Sequence, residues 1–165
     1  MTQNDENLAS ARAPVEPLGR HVLIVGARNV DEILAIARAY HARAGGDGPF
    51  VPLTWAGLPD PVVESEFFGH VRDGFPGAFR DKPGAVEVAA GGTLVLIDSV
   101  ETLPSVLTSR LTRALMTRHA SRIGRRYTPY AVDISIVGTL ARPLDSSADH
   151  ALAKLCAYFT TVHTV

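Results

Sequence analysis

Lysine is nearly missing from this chain: Lys82 and Lys154 are the only two in 165 residues, and arginine carries the rest of the basic charge. Cysteine is scarcer still, with Cys156 alone, so no internal disulfide can form. No apolar run approaches the length of a membrane span; the longest, such as Val22–Val25 and Leu94–Ile97, are strand-sized. The polar start MTQNDENLASARAPVEP has no apolar centre of the kind a signal peptide needs, which gives a cytoplasmic reading. A formal net charge of -1, with arginines scattered, leaves no footprint for a phosphate backbone and argues against direct DNA binding. The one local basic patch is Arg118, Arg122, Arg125 and Arg126. Six histidines are present, but no two stand three to five residues apart and no second cysteine supports them, so no metal site is expected.

What is present is enough apolar sequence, 46% of the residues, for one domain with a core. Residues 1–19 carry Pro14 and Pro17 and show no periodicity, which reads as a flexible leader before a domain at 20–165. His21–Val25 is a continuous apolar run ending in Gly26, the pattern of a buried parallel strand. Asn29, Asp31 and Glu32 then supply a helix start, and Gly45–Gly46 its stop. A second strand is expected at Phe50–Thr54, a short helix around Pro61–Phe68, and a helical turn over Gly84–Ala90. Thr93–Asp98 reads as a third strand, about 104–119 as a longer helix, Ile134–Gly138 as a fourth strand and Ser147–Tyr158 as a last helix. This alternation predicts an α/β domain of three layers around a mostly parallel sheet.

Between the second helix and the third strand lies Asp73-Gly74-Phe75-Pro76-Gly77-Ala78. Two glycines and a proline around one phenylalanine leave little side-chain mass to hide the ring, so the turn is expected to present Phe75. An ordinary surface turn with a half-buried Phe is the plainer alternative.

Five stretches in colinear order carry a family resemblance: GPFVPLTWAGLP (48–59), ESEFFGH (64–70), DGFPGAFRDKPG (73–84), GGTLVLID (91–98) and ETLPSVLTSRLTRAL (101–115). Over about 20–165 the chain resembles the AAA+ ATPase core of bacterial sigma-54-dependent transcription activators. The resemblance implies a P-loop NTPase-like fold, ATP and magnesium as ligands of the family, and a GAFTGA loop that pushes on the sigma factor. By position that loop is Asp73, Gly74, Phe75, Pro76, Gly77 and Ala78, with Pro76 where the family has threonine.

The same carry-over marks what the family's chemistry lacks here. The phosphate loop corresponds to Gly26, Ala27, Arg28, Asn29, Val30, Asp31 and Glu32, with Glu32 at the place of the lysine that neutralises phosphates. Asp98 falls where the magnesium-positioning aspartate belongs and Ser99 where the water-polarising glutamate belongs. A strand-end carboxylate that caps a neighbouring segment is the equally good structural reading of Asp98. Thr54 and Leu140 stand at two sensing asparagines, and the last twenty residues, where arginine fingers belong, contain Lys154 and no arginine. The sequence also stops before the family's helical lid and has no room for a receiver or DNA-binding domain. The resulting expectation is a pseudo-ATPase without catalytic residues or cofactor, acting through a protein partner: the sigma factor or an active AAA+ activator. The alternatives are a domain that binds ATP or ADP without hydrolysis, or a residual ATPase.

Overall fold

The structure, a computed structural model, describes residues 20–124 and 129–165. The leader read at 1–19 and the arginines at 125 and 126 lie outside the described residues. The chain opens with β1 (His21–Val25) and α1 (Val30–Arg43), crosses to β2 (Phe50–Leu53), and continues into α2 (Asp60–Phe68). Two short strands, β3 (Gly69–His70) and β4 (Lys82–Pro83), frame the loop region as an antiparallel pair, followed by α3 (Ala85–Val88). Then come β5 (Thr93–Ser99), a 3-10 turn at Val100–Thr102, and α4 (Ser105–Thr117). A second small antiparallel pair, β6 (His119–Ser121) and β7 (Pro129–Ala131), precedes β8 (Ser135–Leu140), α5 (His150–Cys156) and β9 (Thr161–Thr164).

The main sheet has five strands in the order β2-β5-β8-β1-β9, and all four pairings are parallel. Its inner strands carry apolar runs, residues 22–25 in β1, 94–97 in β5 and 136–137 in β8, because both faces are covered, and successive side chains go to opposite layers. Val22 and Ile24 of β1, with Val95 and Val137, pack under Ile33 and Ala37 of α1. Leu23 and Val25, with Leu94, Leu96, Ile136 and Leu140, join the larger cluster formed with α2, α3, α4 and α5. The three-layer α/β architecture is therefore present, with α1 on one face and α2, α3, α4 and α5 on the other among the described residues.

Several boundaries differ from the sequence reading. The sheet has a fifth strand, β9, where only four were expected. The last helix begins at His150 and not at Ser147, because Asp145 Oδ1 accepts the Ser147 N–H at 2.9 Å and holds that segment in a turn. β5 also slips against β8: Val95 pairs with Val137, but Ser99 pairs with Thr139. Two extra residues bulge at the strand's end, and the buried Thr139 hydroxyl reaches the carbonyls of Leu96 and Ile97 at 3.3 and 3.2 Å.

Candidate functional site

Gly26 turns the chain off β1 at φ +86 and donates its N–H to Leu140 O at 3.0 Å. Asn29 is the N-cap of α1, its side-chain oxygen accepting the Glu32 N–H at 2.9 Å. Glu32 then folds its carboxylate back over the loop. Its Oε2 accepts the backbone N–H of Arg28 at 2.7 Å, and its Oε1 accepts the Arg28 guanidinium at 3.1 Å. These bonds, the side-chain one first, hold Glu32 below the usual carboxylate range and raise the Arg28 guanidinium further. An outward backbone N–H and a neighbouring cation are what a loop of this kind offers a phosphate. Here the chain's own carboxylate takes both.

Neither lysine reaches this loop. Lys82, on β4, is ion-paired with Glu66 of α2, and Lys154 lies in the last turn of α5. Leu140, at the end of β8, is buried in the core and cannot sense a ligand by hydrogen bonding. Among the described residues no group of three His, Cys, Asp or Glu could hold a metal ion. Cys156 is half-buried, and burial, with Glu101 second, pushes its thiol up to about 11, away from the thiolate form.

Asp98 takes part in the fold of the neighbouring connection. Its Oδ2 accepts the Thr54 hydroxyl at 2.7 Å and the backbone N–H groups of Trp55 and Ala56 at 2.6 and 2.9 Å. It thus caps the start of the β2–α2 connection, with the bulge in β5 placing it there. Two positions singled out separately, Thr54 and Asp98, are in direct contact. The Ser99 hydroxyl donates to Glu101 at 3.1 Å, a carboxylate that sequence reasoning passed over. The signal was only its spacing of two residues.

The loop from Asp73 to Ala78 is closed by its own backbone. Asp73 N–H donates to Ala78 O at 2.8 Å, Gly74 N–H to Val71 O at 3.0 Å, and Ala78 N–H to Phe75 O at 3.0 Å. Asp73 adopts φ 60 and Gly77 φ +99, left-handed conformations that Asp tolerates and Gly favours. Gly74 lies against the segment after β6: an added Cβ would sit 2.6 Å from Ile123 O. A shallow depression of about 410 Å³, open to solvent, is lined by residues 73–79.

The expectation of a presented Phe75 is corrected. Its ring is half-buried edge-on against His70, with centroids 5.0 Å apart, and buried His70 is itself tied to Ser65 by a 2.7 Å hydrogen bond. Pro76 and Gly77 are exposed, whereas Ala78 is buried. The exposed aromatic is Phe79, one residue further, with 86% of its surface open to solvent. Its sequence signal is weak: a lone aromatic beside Arg80 and Asp81.

Comparison with known proteins fits this arrangement. The family model described as the sigma-54 interaction domain matches residues 2–159. The regulatory protein HrpS of Pseudomonas syringae pv. syringae is 33% identical over 153 residues, 93% of this chain and 50% of HrpS. VnfA of Azotobacter vinelandii, a nitrogen fixation protein, is 34% identical over 87% of this chain and 27% of its own length. The Psp operon transcriptional activator of Escherichia coli is 35% identical over 73% of this chain and 37% of its own. The chain thus spans at most about half the length of these curated relatives. Among solved structures, NtrX from Brucella abortus in complex with ATP matches with a TM-score of 0.70 and 26% identity, over 90% of this chain and 32% of NtrX. A complex of the magnesium chelatase subunits BchI and BchD shares the fold at 17% identity and a TM-score of 0.57, over 88% of this chain and 53% of that one. The strand order, the loop between α2 and β5 and these matches together make the chain a member of the sigma-54 interaction domain family.

Proposed function

We propose that this chain is a catalytically inactive, regulatory protein-interaction domain in bacterial transcription control, and that its docking partner is the sigma-54 factor. The observation that carries the inactive reading is the Glu32 carboxylate bonded to the Arg28 N–H and guanidinium, where a phosphate would need donors and a lysine. Asp98 adds support, since three donors of the β2–α2 connection converge on one of its oxygens. The docking reading rests on a loop whose internal hydrogen bonds fix its shape, together with the family to which the chain belongs.

The test is steady-state phosphate release from magnesium-ATP by the purified chain. Release at the level of buffer is expected. Turnover well above buffer that disappears in Asp98→Ala overturns the inactive reading. For docking, the expected result is concentration-dependent binding to purified sigma-54 factor. Binding to an active activator of the family in its place would move the partner assignment.

One observation favours a second reading, nucleotide binding without hydrolysis. NtrX, which shares this fold at 25% and 26% identity, has been solved with ADP and with ATP. Thermal stability with nucleotide separates this reading from the first.

A further inference from the structure

We infer that the docking anchor of this domain is Phe79 with Arg80, and that it fits an apolar cup flanked by a carboxylate on the sigma-54 factor; this rests on the docking reading above. Four observations lead to it. Phe79 is the most exposed of the large apolar side chains among the described residues, at 86%. Arg80 is exposed and has no ion pair or hydrogen bond among those residues, while the neighbouring charges are engaged. Arg72 lies 3.8 Å from Asp73, and Asp81 accepts the Arg72 N–H at 2.7 Å and faces Arg122 at 4.0 Å. The unmatched charge beside the ring is therefore positive, and its complement is an acidic group.

The remaining observations concern rigidity and the rival residue. The Phe79 N–H donates to Gly77 O at 3.0 Å, and Ala78 is buried, so the ring stands on a backbone already fixed at its base. An aromatic side chain on a fixed backbone, next to an arginine free to find a partner, is a composition enriched at the centre of interfaces. Phe75 does not compete for the role, because its ring is spent on His70 inside the loop. Phe75 shapes the loop; Phe79 meets the partner.

The experiment is a binding titration of the full chain against purified sigma-54 factor, with a melting curve for every variant. Phe79→Ala is expected to weaken binding at least tenfold with an unchanged melting temperature, and Phe79→Leu to stay within about threefold, since the contact is apolar. Arg80→Glu is expected to weaken binding at least tenfold, and Arg80→Gln to reduce the salt dependence that the unaltered chain shows. Phe75→Ala is expected to lower the melting temperature. Binding by the unaltered chain that persists in both Phe79→Ala and Arg80→Glu overturns the anchor and leaves the docking reading standing. A melting temperature lowered by several degrees in Phe79→Ala overturns it too. No binding by the unaltered chain overturns both.

Discussion

At the scale of one residue, His21 shows how burial sets a pH response. Its Nδ1 accepts the Ile136 N–H at 3.2 Å, which requires that nitrogen to be unprotonated. Burial first, then the Arg20 and Arg118 guanidiniums, push the imidazole down to about 4 from 6.5. Below pH 6.5 the unfolded chain takes up the proton before the folded one does. Stability contributed by neutral His21 is thus complete above pH 6.5 and is lost progressively as pH falls toward 4. With solvent screening allowed for, the loss is on the order of 1–2 kcal/mol. Urea denaturation at pH 7.5 and pH 5 is expected to show that loss, and His21→Gln to flatten the slope; equal slopes in both proteins would remove His21 as the cause. Little of this was legible in the sequence, where His21 is only the first letter of a strand beside Arg20, because its burial and its approach to Arg118 come from the fold.

At the scale of elements, what could be read and what could not divide along physical lines. β1, β5 and β8 were legible because strands buried on both faces carry near-continuous apolar runs, and α4 because Leu107 and Leu111 recur on one buried face. β9 was not, since an edge strand with Thr161, His163 and Thr164 carries no such run. The two-residue slip of β5 was invisible as well, and with it the direction of Asp98. That carboxylate ties the end of β5 to the β2–α2 connection, so removing it leaves two backbone N–H groups and the Thr54 hydroxyl without their acceptor. Asp98→Ala is expected to destabilise the protein by about 2 kcal/mol, with hydrogen exchange at Trp55 and Ala56 rising ahead of the rest. Unchanged stability together with unchanged protection at those amides would show that the cap contributes nothing.

For the whole molecule, the layers follow from apolar patterning, while the proposed behaviour toward ligand turns on a few side chains in the loop after β1, the first turn of α1 and the end of β5. The sequence showed that a lysine is missing; it did not show that Glu32 folds onto the Arg28 N–H, because Glu32 and Arg28 four apart also describe an ordinary surface pair. A ligand that binds only the folded state adds RT ln(1 + [L]/Kd) to stability, about 2.7 kcal/mol at a hundredfold excess over Kd. For a domain of this size each kcal/mol moves the melting temperature by roughly 2–4 °C. A nucleotide bound with a Kd of about 10 μM, supplied at about 1 mM, would therefore raise it by roughly 5–10 °C. We expect magnesium-ATP and magnesium-ADP to leave it within about a degree, because binding would first have to displace an internal carboxylate and would then find no lysine. Glu32→Lys is expected to change little, since it removes the internal anion but leaves Asp98 directed at the β2–α2 connection and Leu140 in the core. A nucleotide-dependent rise of several degrees in the unaltered chain, abolished by Gly26→Val, would place a ligand in this loop after all and move the assignment to binding without hydrolysis.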